Sequence, residues 1–224
     1  MGKGCSAIVD PQVGIEPYLQ LAEKAGVQIT HIIDTHIHAD HLSGSRKLAE
    51  ATGAAIYLHE SAEATYEFVP LKEGDEVAVG NVVMSPLHTP GHTPESMCLV
   101  VEDRSRGEGP WFVLTGDTLF VGDVGRPDLV FDTREGAAQL YDSLFGKLLA
   151  LDDTLEIYPA HCAGSVCGRH MSGKPSSTIG FEKRFNIGLQ ARSKDEFIEA
   201  LARDIPPQPE DFTNIRRTNM GLTA

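Results

Sequence analysis

The stretch Thr35-His36-Ile37-His38-Ala39-Asp40-His41 decides the fold, and it lies just after the short apolar run 29–33. Three histidines and one aspartate fall within six positions of this stretch. Imidazole and carboxylate groups are the side chains that bind zinc, iron or manganese in proteins. An apolar run of this length is typical of a buried strand. The stretch therefore predicts a metal site on a loop at the end of a strand.

The composition limits the classes of function that remain. With 224 residues and 41% hydrophobic residues, the chain suits a single domain, 1–224, in which we expect 205–224 to form an extended C-terminal tail. The net charge of −13 makes nucleic acid and anionic membranes poor partners. Cys5, Cys98, Cys162 and Cys167 are too few for a disulfide framework, and no signal-peptide core begins the chain. We therefore expect a cytoplasmic protein.

The hydrophobic pattern alternates between strands and helices. Helical spacing of apolar residues predicts helices at 15–25, 46–52, 133–151 and 194–203. Short apolar runs predict strands at 5–9, 29–33, 55–58, 97–101, 111–115 and 155–158, together with a hairpin formed by 76–79 and 82–85. This interleaving favours an α/β fold.

Three further candidate ligands stand at predicted strand ends. His92, Asp117 and His161 each follow a strand pattern and a small residue. Rigid strands deliver such side chains to one loop face, so the three are expected to join the histidine stretch. Four other histidines lack this arrangement and are predicted not to bind metal, namely His31, His59, His88 and His170. Of these, His88 is close enough in sequence to His92 to support it.

The complete set resembles the signature of the metallo-β-lactamase superfamily. The residues that carry the resemblance are His36-x-His38-x-Asp40-His41, then His92, Asp117 and His161. The resemblance implies an αββα sandwich with two mixed β-sheets and outer helices. In the hydrolase branch it implies two zinc ions, one held by His36, His38 and His92 and the other by Asp40, His41 and His161, with Asp117 bridging. Glyoxalase II, a thioester hydrolase, is the alternative of this kind.

Finer motifs resemble the persulfide dioxygenases, and in particular the catalytic domain of fusions with a C-terminal rhodanese. The motifs are 91–96 (GHTPES), 116–120 (GDTLF), 122–129 (GDVGRPDL) and 175–180 (PSSTIG). The resemblance implies one Fe(II) per chain, bound by His36, His92 and Asp117. Two histidines and one carboxylate form the facial triad of non-haem iron oxygenases, which leaves coordination positions open. His38, Asp40 and His161 would then orient the ligands and hold water or protons, while the role of His41 stays open between metal support and structure.

The activity that follows from this resemblance is oxidation of a low-molecular-weight thiol persulfide. Glutathione persulfide and O₂ are the expected substrates, and sulfite and free thiol are the products. A rhodanese-type sulfurtransferase and a second copy of the chain are the expected protein partners. The resemblance also implies that residues 205–224 correspond to the linker to the rhodanese domain of the fusions, a domain that is absent from this sequence. A non-catalytic sulfur carrier is a third hypothesis, and the intact triad weighs against it.

Two residues outside the signature are candidates for binding substrate. Arg126 could hold a substrate carboxylate with two parallel hydrogen bonds, or it could form an internal ion pair with Asp123 or Asp128. Cys167 could carry sulfur near the metal or form a labile disulfide with Cys162, or both cysteines could simply pack in a tight loop. The fusion relatives resemble the segment 164–168, which makes Cys167 the better functional candidate.

Overall fold

The computed structural model describes residues 4–130, 132–203, 205, 207–208 and 210–223. One sheet has four strands in the order β1-β2-β3-β4, namely Cys5–Val9, Gln28–Ile33, Ala55–His59 and Val69–Leu71. All three pairings within it are parallel. Parallel neighbours require crossovers, and α1 (Glu16–Ala25) and α2 (Ser45–Thr52) lie within two of them.

The second sheet has six strands, which in chain order, β5 to β10, are Val77–Val79, Val82–His88, Met97–Asp103, Phe112–Gly116, Glu156–Pro159 and Ser177–Thr178. Their order in the sheet is β10-β9-β8-β7-β6-β5. The strands β5 to β8 form an antiparallel meander, whereas β8 and β9 pair in parallel across the crossover that contains α3 (Thr133–Gly146). Only this sheet is mixed, so the prediction of two mixed sheets is correct for one of them.

Three apolar clusters show how the layers pack. One cluster joins Ile33 of the first sheet to Val79, Met84 and Leu99 of the second, and so fills the space between the sheets. A second cluster packs α3 and α5 (Lys194–Ala202) on the outer face of the six-stranded sheet. A third packs α1 and α2 on the outer face of the other sheet. The molecule is therefore an αββα sandwich, as the sequence predicts.

Several predicted bounds differ from the structure. The helix predicted over 133–151 ends at Gly146, and a 3₁₀ turn, Leu148–Ala150, follows it. The short helix α4 (Ile179–Phe185) lies in a segment that carried no helix prediction. Within the described part of the chain, no helix has both the length and the apolar character needed to cross a membrane.

The prediction of an extended tail over 205–224 is wrong for 212–219, which form α6 (Phe212–Asn219). This helix has little apolar surface, but Phe212, Asn219 and Met220 are buried against the rest of the molecule. Tertiary contacts therefore stabilise a segment whose composition alone favours disorder. Residues 204, 206, 209 and 224 lie outside the described residues.

Candidate metal centre

Three loops that follow strands bring a triad of buried side chains together. His36 follows β2, His92 follows β6, and Asp117 comes directly after β8. Their ligand atoms all lie within 4.8 Å of one another. The Nε2 atom of His92 is 3.4 Å from Oδ2 of Asp117, and the rings of His36 and His92 meet edge to face. The first strand belongs to one sheet and the other two strands to the second, so the triad lies where the two sheets meet.

Hydrogen bonds at Nδ1 fix the tautomers of both histidines. The Nδ1 atom of His92 is 2.9 Å from the carbonyl oxygen of Arg126, which can only accept, so Nδ1 donates. Thr35 Oγ1 donates to Oδ2 of Asp10 at 2.9 Å, which leaves this hydroxyl to accept from Nδ1 of His36 at 3.1 Å. Each imidazole therefore presents the lone pair of Nε2 to the centre of the triad.

Close backbone packing holds the loops of the triad in place. A Cβ atom on Gly125 would collide with the carbonyl oxygen of Asp117, and one on Gly91, which has a φ of 139°, would collide with Leu140 of α3. A Cβ atom on Gly136 of α3 would collide with the carbonyl oxygen of Pro127. Glycine at these positions thus allows the helix and the loops carrying His92 and Asp117 to approach each other closely.

The triad fits a divalent cation. His36 Nε2 and both carboxylate oxygens of Asp117 are buried and have no hydrogen-bond partner among the described residues. Such atoms are rare in folded proteins, and a cation would satisfy them. Burial, together with the neighbouring His38, lowers the pKa of His36 well below its ordinary value. Burial also lowers the pKa of His92, so both imidazoles stay neutral, which is the form that binds metal.

His38 lies beside the triad and pairs with Asp10. Its Nε2 atom is 3.1 Å from Oδ1 of Asp10. Burial opposes a charge on this imidazole, but the Asp10 carboxylate outweighs that effect and raises the pKa of His38 to about 9. One ligand atom of His38 lies within 4.8 Å of those of Asp40 and His41, the His38 ring centroid is 4.2 Å from that of His36, and its Nδ1 atom is buried without a hydrogen-bond partner among the described residues.

The remaining predicted residues surround Asp40. Oδ1 of Asp40 is 3.1 Å from Nδ1 of His41, and Oδ2 is 3.3 Å from Nε2 of His161. The same Nε2 atom is 3.5 Å from Oδ1 of Asp117. Burial raises the pKa of Asp40, but the hydrogen bond from His41 and the charge of His161 outweigh burial and hold it below its ordinary value.

The guanidinium of Arg126 is buried and binds within its own chain. It donates to both oxygens of Asp128, at 2.7 and 2.8 Å, and to the carbonyl oxygen of Val166 at 3.1 Å. This is the internal ion pair that the sequence offered as the alternative, and the partner is Asp128 rather than Asp123. The two parallel hydrogen bonds that a substrate clamp would make go to Asp128 in this structure, and the substrate-binding role of Arg126 stays a prediction.

The two cysteines of the 162–168 loop differ in environment. Cys162 is exposed and Cys167 is buried, and both are free thiols, so the disulfide hypothesis is not realised here. The thiol of Cys167 lies within 4.8 Å of ligand atoms of Asp40 and His161. The backbone N–H of Arg126 donates to the carbonyl oxygen of Cys167 at 3.1 Å, which fixes the loop against the triad.

The four histidines predicted not to bind metal all lie outside the triad. His59 and His88 stack with their ring centroids 3.8 Å apart, and His88 Nε2 donates to the carbonyl oxygen of Pro94 at 2.8 Å. His88 therefore packs against His59 and supports the His92 loop through Pro94. His31 stacks on Tyr57 of β3, and the backbone N–H of His170 donates to Asp123.

Sequence reasoning missed a layer of polar residues behind the metal loop. Asn219 of α6 donates to the carbonyl oxygens of His38 and His41 at 2.9 and 2.8 Å. Glu95 accepts from the N–H of Ile37 at 3.0 Å and from Arg216, also at 3.0 Å. Glu95 lies within the motif 91–96 and could have been found there, but nothing in the polar sequence of α6 indicated a contact with the metal loop.

A family model described as the metallo-beta-lactamase superfamily matches residues 2–161. The chain belongs to the metallo-β-lactamase superfamily. Among curated members of this superfamily, mitochondrial persulfide dioxygenase ETHE1 from Bos taurus is 29% identical over 205 residues, which cover 90% of this chain and 72% of the relative. Hydroxyacylglutathione hydrolase from Anaeromyxobacter dehalogenans is 37% identical over 161 residues, which cover 70% of this chain and 57% of the relative.

Solved structures of metallo-β-lactamase proteins superpose closely on this one. ETHE1 from Myxococcus xanthus has 32% identity and a TM-score of 0.85, with 99% of this chain and 92% of that chain covered. A metallo-beta-lactamase from Staphylococcus aureus has 35% identity and a TM-score of 0.89, with 96% of this chain covered and this chain spanning 64% of the other. The resemblance to the persulfide dioxygenases of the metallo-β-lactamase superfamily is confirmed, and the chain is an enzyme with a metal-binding site.

Proposed function

We propose that this enzyme is a mononuclear non-haem iron dioxygenase that oxidises glutathione persulfide with O₂ to sulfite and glutathione. The observation that carries the proposal is that the ligand atoms of His36, His92 and Asp117 lie within 4.8 Å of one another. Two histidines and one carboxylate suit Fe(II) with open coordination positions. The similarity to persulfide dioxygenases supports the same activity.

Iron, when bound, supplies the redox chemistry and the open positions at which O₂ and a sulfur nucleophile can be brought together. The chain holds the ligands in the required state, because His36 and His92 stay neutral and present Nε2. The role we propose for His161, whose Nε2 atom is 3.5 Å from Oδ1 of Asp117, is to hold a water molecule or a proton beside the triad. In the overall reaction the outer sulfur gives four electrons to O₂, and water supplies the third oxygen atom of sulfite. Positioning both reactants contributes up to about 7–11 kcal/mol in ideal cases.

The direct test is anaerobic loading with iron, followed by measurement of oxygen uptake and sulfite release with glutathione persulfide. We expect about one iron per chain and equal amounts of oxygen consumed and sulfite formed. Removal of an outer hydrogen-bond partner of a metal ligand lowers metal affinity or activity by about 10–100-fold. The loss in His36→Ala should be larger, because His36 is itself a proposed ligand. The matched control is His31→Ala, because His31 stacks on Tyr57 outside the triad. An iron-loaded protein that consumes no oxygen with this substrate would refute the proposal, and comparison with cysteine persulfide would identify the thiol carrier.

A binuclear-zinc thioester hydrolase of glyoxalase II type is the second candidate function. The similarity to hydroxyacylglutathione hydrolase, which extends over 161 residues, favours this second function. The hydrolase arrangement needs His36, His38 and His92 on one ion. The ring centroids of His36 and His38 are 4.2 Å apart, and His38 Nδ1 is buried without a hydrogen-bond partner among the described residues. Two zinc ions per chain and hydrolysis of S-lactoylglutathione would establish this alternative.

The remaining expectations concern partners and location. Cys167 stays a candidate for contact with the substrate sulfur, and a Cys167→Ser protein with full turnover would remove it. A rhodanese-type sulfurtransferase partner, a homodimer and a cytoplasmic location belong to the same proposal, and the four free cysteines are consistent with a reducing compartment. Light scattering on the purified protein would measure the oligomeric state.

A further inference from the structure

The segment that follows β8 connects two of the three side chains of the triad. Asp117 lies at its start, and further along it the carbonyl oxygen of Arg126 accepts from Nδ1 of His92. Between these points a backbone hydrogen bond of 2.9 Å closes a turn over 120–123, and an antiparallel bridge joins the two residues that flank this turn. The turn is therefore the tip of a hairpin whose first arm carries Asp117 and whose second arm orients His92.

The helix α4 holds this turn through two fully buried side chains. Oε2 of Glu182 accepts from the backbone N–H of Gly122 at 2.8 Å. Nδ2 of Asn186 lies 3.1 and 2.9 Å from the carbonyl oxygens of Phe120 and Asp123, and 2.8 Å from Oε2 of Glu182. Two side chains of one short helix thus bind both carbonyl ends and the central N–H of the turn.

A buried glutamate at this position is unfavourable for stability alone. Oε1 of Glu182 is buried without a hydrogen-bond partner among the described residues, and such an atom costs free energy. An apolar side chain of similar size would avoid this cost. Local rules of this kind are broken chiefly where function requires it, which directs attention to what the turn supports.

The two arms of the hairpin transmit the position of the turn to the triad. They are in direct contact, because a Cβ atom on Gly125 would collide with the carbonyl oxygen of Asp117. The Thr115 hydroxyl donates to the carbonyl oxygen of Leu119 at 2.7 Å, which fixes the first arm to the end of β8. A shift of the turn therefore moves Asp117 together with the acceptor that orients His92.

We propose that Glu182 and Asn186 are positioning residues of the metal centre, which act on Asp117 and His92 through the turn 120–123. Losing an outer partner of a metal ligand lowers metal affinity by about 10–100-fold, and the lower end of this range suits partners that act through a turn. The inference rests on the metal centre of the proposed function but not on the oxidation reaction. A parent protein that shows the binding effects below and consumes no oxygen would refute the reaction and support the positioning role.

The test measures Fe(II) affinity anaerobically, by competition with a chromophoric chelator and without any persulfide. Glu182→Leu should bind Fe(II) about 10-fold more weakly than the parent protein. Glu182→Gln should restore the parent affinity, because its amide oxygen can accept from Gly122 and Asn186 as Oε2 does. Arg184→Ala is the matched control, since Arg184 is exposed on the same helix.

Denaturant unfolding of the metal-free proteins separates positioning from a merely structural role. A structural role would lower the free energy of unfolding in Glu182→Leu and leave the Fe(II) affinity of the folded protein equal to that of the parent. That result would overturn the proposal. An equal loss of affinity in Glu182→Gln or in Arg184→Ala would also overturn it.

A measurement on the parent protein keeps the proposal falsifiable if Glu182→Leu does not fold. If the contacts of α4 strengthen metal binding, bound metal must strengthen those contacts by the same factor. Hydrogen exchange at the N–H of Gly122 should therefore slow on addition of Fe(II), and by more than exchange at the N–H of Trp111. The Trp111 N–H is the control, because it bonds to Val101 at the other end of β8. Equal slowing at both amides, or no slowing at Gly122, would overturn the assignment.

Discussion

At the scale of single residues, one partly buried carboxylate, that of Asp10, organises two histidines of the metal loop. Oδ2 of Asp10 accepts from the Thr35 hydroxyl, which accepts in turn from His36, and Oδ1 contacts His38. The backbone N–H of Thr35 also donates to Oδ1 at 2.7 Å. Asp10 itself has a φ of 50°, an uncommon conformation that aspartate tolerates better than most residues. Asp10 therefore positions His36 through Thr35 without touching the metal site itself.

Asp10→Asn should weaken iron binding by about 10–100-fold, the usual effect of losing an outer partner of a metal-binding histidine. The amide removes the negative charge that stabilises protonated His38 and one of the acceptors that orient Thr35. The measurement is the Fe(II) dissociation constant together with the pKa of His38 by NMR, which should fall from about 9. Asp142→Asn is the control, because Asp142 is exposed and pairs with Lys194 in α5, on the far side of α3 from the Asp10 contacts. Unchanged values for both quantities would contradict the role given to Asp10.

The Arg126–Asp128 pair makes a prediction about stability and pH. Burial raises the pKa of Asp128, but hydrogen bonds and charge from Arg126 outweigh it and hold the pKa below its ordinary value of 3.8. The folded state therefore favours the ionised carboxylate, so this stabilisation is present above pH 3.8 and is lost as the pH falls through the lower folded-state value. Asp128→Asn should lower stability by about 3 kcal/mol at pH 7, because it removes the carboxylate charge that offsets the buried guanidinium of Arg126. Between about pH 5 and pH 3, the Tm of Asp128→Asn should therefore fall less than the Tm of the parent protein. Parallel curves of Tm against pH for the two proteins would contradict this prediction.

At the scale of elements, α6 shows where sequence reasoning stops. The strands and the meeting of His36, His92 and Asp117 could be predicted, because alternating apolar residues and clustered histidines have one dominant physical meaning. The contact of Asn219 with His38 could not be predicted, because it joins residues 181 positions apart and uses a side chain of a type that is usually exposed. The role of Asp10 was missed for the same reason, because its partners Thr35 and His38 lie 25 and 28 positions away.

Asn219→Ala should destabilise the protein by about 1–3 kcal/mol, because the carbonyl oxygens of His38 and His41 lose their donor. Iron affinity should fall as well, since the loop that carries the first ligand loses its support. Asn214→Ala is the matched control on the exposed face of the same helix. Denaturant unfolding with and without metal measures both effects, and equal curves for the two variants would show that α6 does not hold the loop.

The helix α3 offers a paired test of close packing. Gly→Ala inside a helix normally stabilises by about 0.4–1 kcal/mol. Gly146→Ala should do so, because an added Cβ atom there meets nothing within 4 Å. Gly136→Ala should instead destabilise by about 1–3 kcal/mol, since its Cβ atom would collide with Pro127 and press on Gly91 beside His92. If both variants are stabilised, the close approach of α3 to the triad loops is not required.

At the scale of the whole molecule, the metal centre joins two halves that the chain otherwise builds separately. Residues of the parallel sheet precede His36, whereas His92 and Asp117 follow strands of the mixed sheet. The apolar cluster between the sheets holds the halves together at the core, but at this edge several buried ligand atoms of the two halves face each other without hydrogen-bond partners among the described residues. When no cation is bound, repulsion between these ligand atoms and their missing hydrogen bonds should weaken the contact between the two sheets at this edge.

A bound cation should therefore act as a cross-link between the sheets and raise the stability of the whole domain. At a free metal concentration 100 times its dissociation constant, the gain is about 2.7 kcal/mol. Chelation of Fe(II) under anaerobic conditions should lower the Tm of the parent protein and leave that of Asp117→Asn unchanged, since this variant lacks the carboxylate on which the centre depends. Hydrogen exchange would locate the effect, because the protection lost on chelation should lie in the loops after β2, β6 and β8 on both sheets. A loss confined to one sheet would mean that the cation is held by one half alone, and it would remove the cross-link as the reason for the stability.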